Sequence, residues 1–112
     1  EMKTITKVFT GLSGTTEATA MDLKVQEHGR QTWEFYADNS SANIRIRLKS
    51  IFTDESGTEV ATPTIQTIDL TDETLTIVNF DMKLEHVRCT YDDDGTGDMA
   101  GDLHIKATTA KG

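Results

Sequence analysis

Three histidines provide the side chains of this sequence that most readily bind a metal or transfer a proton near neutral pH. His28 lies in the polar run from Gln26 to Arg30, which is typical of a turn. His86 and His104 take outward positions on the last two predicted strands, where a neighbouring pair beside Glu85 would offer ligands to zinc. No local spacing supplies a third ligand. We therefore interpret these histidines as solvated surface residues and expect no metal site.

The candidate nucleophiles are equally isolated. Cys89 is the single cysteine, in the run Val87-Arg88-Cys89-Thr90-Tyr91, where alternate residues share a face. We expect a buried structural thiol and no disulfide, which fits synthesis in a reducing cytoplasm. Gly11-Leu12-Ser13-Gly14 lacks the strand-to-helix turn of a serine hydrolase, and no P-loop or dinucleotide fingerprint is present. The sequence therefore predicts no enzyme, no catalytic residues and no cofactor.

The densest group of oxygen ligands is the run from Asp92 to Asp98, Asp-Asp-Asp-Gly-Thr-Gly-Asp. Calcium prefers several oxygens converging from one short loop. Counted as an EF-hand loop from Asp92, the run has Gly97 at the sixth position but Leu103 at the twelfth, where a glutamate is required. The tandem repeats of calcium-binding β-rolls are also absent. We interpret the run as a solvated hairpin tip, with an opportunistic calcium site as the alternative.

Arg45, Arg47 and Lys49 form a basic stripe in a chain whose formal net charge is -8. The stripe has two interpretations. It is either a wet sheet face neutralised by acids on adjacent strands, such as Glu34, or a docking surface for an acidic partner. The acidic balance of the whole chain disfavours nucleic acid and anionic membranes as partners. Trp33 and Tyr36 have opposite parity, so they do not form a shared sugar platform, and we assign Trp33 to the core.

These side chains are positioned by predicted β-strands, in which every second residue lies on the same face. In residues 42–50, Ile44, Ile46 and Leu48 share one face while the basic stripe occupies the other, which is typical of a half-buried strand. Five further segments show shared faces: Ile5, Lys7 and Phe9, on a predicted edge strand; Met21, Leu23 and Val25; Trp33, Phe35 and Ala37; Val87, Cys89 and Tyr91; and Met99, Gly101, Leu103, Ile105 and Ala107. Residues 65–70 and 75–78 resemble strands, but their apolar residues occupy both faces.

Turn residues separate these runs at short intervals. Asp38 to Ser41 and Glu55 to Gly57 contain the residue types that favour turns, and Asp94 to Gly97 is predicted to join the last two strands as a hairpin. Seven or eight short strands spaced in this way favour an antiparallel arrangement. We therefore predict an all-β, single-domain antiparallel β-sandwich over residues 1–112, either jelly-roll or immunoglobulin-like. No run approaches the ~20 apolar residues that span a bilayer.

The order of these features resembles a known class of proteins. A Gly/Ser/Thr-rich lead, residues 11–16, runs into Ala18 to Leu23, and an aromatic strand, Trp33-Glu34-Phe35-Tyr36, follows. Later come His86-Val87-Arg88, an acidic glycine turn, and Gly101-Asp102-Leu103-His104-Ile105. This order resembles the small β-sandwich accessory proteins of tailed-phage virions, in particular head-decoration and other auxiliary capsid proteins. The blurred alternation from Ile65 to Phe80 departs from that pattern.

The resemblance implies a non-enzymatic structural component of a virion, made in the host cytoplasm. Such a protein would bind a capsid lattice or another virion protein, usually as a symmetric homo-oligomer. The alternative from another class is a carbohydrate-binding or adhesive β-sandwich module. That module would carry an exposed aromatic cluster and often a calcium-stabilised loop, here Asp92 to Asp98. A small enzyme would instead need a concave polar pocket.

We expect neither calcium nor a chelator to change the melting temperature. A ligand that binds the folded state alone must raise the melting temperature by mass action, so thermal unfolding reports binding directly. An upward shift with calcium that Asp94→Ala abolishes would contradict this expectation and favour the adhesive module.

Overall fold

Strands form most of the described chain. The computed structural model describes residues 2–24, 30–81 and 84–110. Within those ranges it contains ten β-strands and no helix. Their bounds are β1 (Met2–Leu12), β2 (Ala18–Lys24), β3 (Arg30–Asp38), β4 (Ile44–Ser50), β5 (Phe52–Thr53), β6 (Glu59–Ala61), β7 (Thr64–Asp69), β8 (Thr76–Phe80), β9 (His86–Asp93) and β10 (Gly101–Ala110).

Eight of these strands form two four-stranded sheets that face each other. The first sheet has the order β1-β10-β3-β8, and the second has the order β2-β9-β4-β7. Every neighbouring pair is antiparallel. The predicted all-β antiparallel sandwich is therefore confirmed. Strands β5 and β6 pair only with each other and form a separate ribbon, which the sequence analysis did not predict.

Along the chain, most successive strands of the sandwich lie in opposite sheets. The chain therefore crosses the sandwich at the turn from Asp38 to Ser41 and again at the turn from Asp94 to Gly97. The predicted hairpin between the last two strands is wrong, because β9 lies in the second sheet and β10 in the first. The two crossings pack together: a Cβ on Gly101, whose φ is 80°, would lie 2.4 Å from the Cβ of Asn39. Only glycine fits that position without a shift of the neighbouring chain.

The core lies between the sheets and follows the predicted period of two. Its largest fully buried hydrophobic side chains come from three strands, β3, β4 and β10: Trp33, Phe35, Ile44, Ile46, Leu48, Leu103 and Ile105. The predicted inward faces of β3, β4 and β10 are thereby confirmed. The predicted edge position of β1 is also confirmed, since β1 pairs with β10 alone. Lys7 has the same parity as Ile5 and Phe9 on this edge strand, an arrangement that hinders pairing with another sheet.

Two bulges explain why simple alternation fails in places. In β2 the register passes from Thr19 to Met21, so Ala20 is an extra residue and both Ala20 and Met21 are buried. In β7 the register similarly passes over Ile65. Ile65 and Ile68 therefore both pack against the core although they lie three residues apart. In β8, Val78 and Phe80 point inward and Ile77 points outward.

Replacing Ile46 by alanine is expected to lower the free energy of unfolding by about 2–5 kcal/mol, because its fully buried side chain leaves a cavity. The matched control is Ile77→Ala, since Ile77 is 55% exposed, and its effect should stay within about 0.5 kcal/mol. Chemical denaturation of both variants measures the difference. Similar losses in the two variants would show that the assignment of faces is wrong.

Candidate functional site

The outer face of the second sheet carries the basic stripe, and acids from adjacent strands neutralise it. Arg45 on β4 forms a two-pronged ion pair with Asp69 on β7, with nitrogen–oxygen distances of 2.6 and 3.1 Å. Arg47 lies 2.9 Å from the carboxylate of Asp92 on β9. These carboxylates accept hydrogen bonds from the guanidinium groups, which lowers the pKa of Asp69 and of Asp92.

Glu17 completes this half of the face. Its carboxylate accepts a hydrogen bond from the Thr90 hydroxyl at 2.6 Å and lies 3.0 Å from the Lys49 ammonium and 3.5 Å from Arg47. The hydrogen bond from Thr90 is the largest cause of the lowered pKa of Glu17, with Lys49 adding to it. All three residues of the basic stripe are thus paired within the chain, so the stripe is not a free positive patch.

Of the two interpretations of the stripe, the structure shows the neutralised wet face. The prediction that Glu34 neutralises the stripe is nevertheless wrong, because Glu34 lies on β3 in the other sheet. The partners come from β7, β9 and the segment before β2, which only the strand order brings together.

A second cluster on the same face joins the β5–β6 ribbon to the sheet. One carboxylate oxygen of Asp22 lies 2.7 Å from Nε2 of His86 and 2.9 Å from Nε of Arg88. Arg88 also donates to both carboxylate oxygens of Glu59 on the ribbon, at 3.0 and 2.7 Å. Burial opposes the ionisation of Asp22, but the hydrogen bonds from His86 and Arg88 outweigh it and lower its pKa. The cluster therefore connects β2, β9 and β6 through charge-assisted hydrogen bonds.

The histidines do not form the cross-strand pair that the sequence allowed. His86 lies on β9 in the second sheet and His104 on β10 in the first, so the sandwich separates them. His104 instead contacts the edge of Tyr36, with ring centroids 6.0 Å apart. His28 lies outside the described residues. Within the described residues, no group of three His, Cys, Asp or Glu side chains could hold a metal ion.

The acidic run uses its carboxylates locally. Asp93 accepts a hydrogen bond from the backbone N–H of Gly95 at 3.0 Å, and Asp94 accepts one from the N–H of Thr96, also at 3.0 Å. Asp92 is engaged by Arg47. These contacts order the crossing between the sheets. They direct the three carboxylates toward different donors and not toward one point.

Cys89 and Trp33 occupy the core as expected. Cys89 is fully buried, and burial raises the pKa of its thiol to about 12, so the side chain stays protonated and unreactive. Trp33 is also fully buried, and its indole donates a hydrogen bond to the side-chain oxygen of Gln31 at 3.1 Å. Neither residue faces solvent, so neither contributes to a surface site.

The sequence analysis missed an apolar surface on the outer face of the first sheet. Val8 lies opposite His104, and His104 lies opposite Tyr36, so the three side chains form one row across β1, β10 and β3. Beside this row is a shallow depression of about 290 Å³. Its side-chain lining comes from β1, β3, β10 and the segment before β8: Thr6, Glu34, Tyr36, Leu75, His104 and Lys106. The alternation of the sequence predicts outward positions for Val8, Tyr36 and His104. Only the strand order shows that they are neighbours.

Comparison with known proteins identifies the fold and no closer relationship. The sequence matches no protein-family profile and no curated protein. No helix in the described ranges has the length and apolar character needed to cross a membrane.

Solved structures with a similar fold include a pilus protein, a prophage-derived protein and a protein of a viral particle. A protein of the disulfide-linked pili on Bacillus endospores aligns with a TM-score of 0.57 and 8% identity, over 100% of this chain and 88% of its own. The SPBc2 prophage-derived protein YomS aligns with a TM-score of 0.57 and 17% identity, over 96% and 94%. VP2 of infectious bursal disease virus, in a subviral particle, aligns with a TM-score of 0.54 and 15% identity, over 100% and 33%. At these identities the likeness shows a shared β-sandwich fold.

The ion pairs of the second sheet predict that the protein loses stability in acid. The carboxylates of Glu17, Asp22, Asp69 and Asp92 have a lower pKa in the folded state, so their stabilisation is present above the unfolded pKa values. It is lost as the pH falls through the lower, folded values. Denaturant unfolding should therefore show a falling free energy of unfolding from about pH 5 to about pH 2.

The double variant Asp69→Asn, Asp92→Asn tests the cause. It should be less stable than the parent at neutral pH and lose less stability on acidification, because two of the shifted carboxylates are gone. The control is Glu55→Gln, whose exposed carboxylate makes no ion pair within the described residues. An unchanged acid profile in the double variant would contradict the assignment.

Proposed function

We propose that this chain is a non-enzymatic structural protein of a virion, acting as a decoration or auxiliary component that binds a capsid lattice. The observation that carries the proposal is the fold, which is similar to a viral capsid protein, a prophage-derived protein and a pilus protein. The order of sequence features supports the same class. Fold alone does not determine function, so the surfaces must supply the rest of the case.

The surfaces favour attachment over catalysis. In the described chain the candidate nucleophile Cys89 is buried and protonated, and the three residues of the basic stripe are engaged in ion pairs. The described residues also leave small apolar patches exposed, such as Leu75 and Ile77. Weak contacts of this kind become durable on a lattice, because each added contact is effectively intramolecular.

The partner is a capsid protein or another virion protein, and the chain self-associates as a homo-oligomer. The net charge of -8 keeps the free protein soluble before assembly and opposes binding to nucleic acid. The place of action is the virion, after synthesis in the host cytoplasm.

The carbohydrate-binding alternative gains no support from the described aromatic residues. It requires several exposed rings on one surface, whereas Trp33 and Phe35 are fully buried. Tyr36 on the first sheet and Phe52 on the ribbon are separated by the sandwich and do not form one platform.

Co-sedimentation with capsids tests the proposal. The genome that encodes the chain supplies the major capsid protein, which is assembled into particles without the chain. The chain should sediment with these particles and saturate at a fixed ratio to capsid subunits, because a lattice offers a fixed number of equivalent sites. An unrelated acidic protein of similar size controls for trapping. No binding above that control would overturn the proposal.

A further inference from the structure

The β5–β6 ribbon contributes no side chain to the core. Every residue of the segment 52–64 is exposed, and the two ribbon strands pair only with each other. A two-stranded ribbon without a buried face is marginally stable on its own. The order of the ribbon therefore depends on the contacts that fasten it to the second sheet.

Two backbone hydrogen bonds fasten the base of the ribbon. The N–H of Ser50 donates to the carbonyl of Pro63, and the N–H of Ile51 donates to the carbonyl of His86, both at 2.9 Å. Ile51 itself is buried. These bonds fix the point at which the ribbon leaves the sandwich, but they do not reach its strands.

The ion pair between Glu59 on β6 and Arg88 on β9 fastens the ribbon beyond its base. Arg88 donates to both carboxylate oxygens of Glu59, at 3.0 and 2.7 Å. The same guanidinium is held on the sheet by Asp22, at 2.9 Å. Within the described part of the chain, no other hydrogen bond or ion pair joins residues 52–61 to the two sheets.

A second carboxylate orders the turn of the ribbon. Asp54 accepts hydrogen bonds from the Ser56 hydroxyl at 2.7 Å and from the N–H groups of Ser56 at 2.9 Å and Thr58 at 3.0 Å. These bonds lower the pKa of Asp54, as the bonds from Arg88 lower the pKa of Glu59. Both the attachment and the internal order of the ribbon therefore depend on ionised carboxylates.

The groups around Glu59 determine how the attachment responds to pH. The charged and titratable side chains at this place come from three strands of the second sheet: Asp22 and Lys24 of β2, Lys49 of β4, and His86 and Arg88 of β9. Arg88 and His86 favour the ionised form of Glu59, and Asp22 opposes it. The stabilisation from Glu59 is complete above the ordinary pKa of glutamate, roughly 4.3, and is lost as the pH falls through the lower, folded value.

We propose that the ribbon is a strap that acid opens while the two sheets stay folded, and that the Glu59–Arg88 pair is the latch that holds it closed. Opening exposes no core side chain, so it costs far less than unfolding the sandwich. The apolar core between the sheets contains no carboxylate and persists when the surface ion pairs weaken. The strap is independent of the proposed function, because it needs neither a capsid nor a second copy of the chain.

Hydrogen exchange measured by NMR at neutral pH tests the latch. The reporters are the N–H groups of Asp54 and Gly57, which donate to carbonyls within the ribbon. Glu59→Gln should raise their exchange about two- to five-fold, the effect of losing one surface ion pair. Exchange in β4, which is paired on both edges, should not change.

The matched control is Glu55→Gln, which removes the same charge from the same ribbon. Glu55 makes no ion pair within the described residues, so the ribbon amides of this variant should exchange like those of the parent. If Glu59→Gln also exchanges like the parent, or if the two variants have equal effects, the latch is wrong and the proposal is overturned.

Removing Arg88 tests whether Glu59 acts through this partner. In a chain that already carries Arg88→Gln, Glu59→Gln should have no further effect on ribbon exchange, because the pair is already broken. Effects of the two substitutions that simply multiply would show that Glu59 acts through another group and would overturn the latch.

A distance measurement tests the opening in acid. Spin labels are attached through Glu55→Cys on the ribbon and Gln66→Cys on β7, both exposed, while the fully buried Cys89 stays unlabelled. The distance distribution should be narrow at pH 7 and broaden by about pH 3.5, with the circular dichroism unchanged and the fluorescence of the buried Trp33 still native. Adding Glu59→Gln should broaden the distribution already at pH 7.

The opposite results overturn the strap. If the distribution stays narrow until Trp33 fluorescence reports unfolding, the ribbon does not open separately from the sandwich. If it is already as broad at pH 7 as in acid, acid does not open the ribbon.

Discussion

The packing of two central strands against each other determines most of this structure. β3 lies between β10 and β8 in the first sheet, and β4 lies between β9 and β7 in the second, so both are paired on both edges. Trp33 and Phe35 of β3 stack with ring centroids 6.2 Å apart, and they share one apolar cluster with Ile44, Ile46 and Leu48 of β4. Because each buried side chain alternates with an exposed one, burying these faces also determines which side chains meet solvent. The surface chemistry of the molecule is in this sense a consequence of its core.

That dependence explains how much could be predicted from the sequence. The inward faces of β3, β4 and β10 could be predicted because a period of two is a local signal. The order of strands could not, since the same Asp, Asn and Gly residues suit a hairpin and a crossing between sheets. The mistaken neighbours His86 and His104 and the mistaken partner Glu34 both follow from this ambiguity. The bulges at Ala20 and Ile65 shift the alternation by one residue, and only the register reveals them.

The two outer faces of the sandwich have different properties because their charges are differently arranged. On the second sheet, each cation of the stripe lies opposite or beside an acid, as Arg45 does with Asp69, so the face is polar and nearly self-contained. Surface ion pairs of this kind add little stability singly, but here they form a network across all four strands or their flanks. On the first sheet, Lys106 lies opposite Glu34 in the register but forms no ion pair with it or with any other described residue. An interface on this face would have to supply an acidic partner for Lys106, because burying an unpaired charge is costly.

The β5–β6 ribbon combines exposed apolar residues with a charged attachment to the second sheet. Its apolar residues Phe52 and Val60 are directed to solvent, while Glu59 fixes it to the neutralised face through Arg88. Arg88 is itself oriented by Asp22, which also binds His86, so the position of the ribbon depends on a carboxylate two strands away. If Glu59 were protonated, Arg88 would lose its charged partner on the ribbon while keeping Asp22. The charged face thus also fixes the ribbon on which the exposed residues Phe52 and Val60 lie.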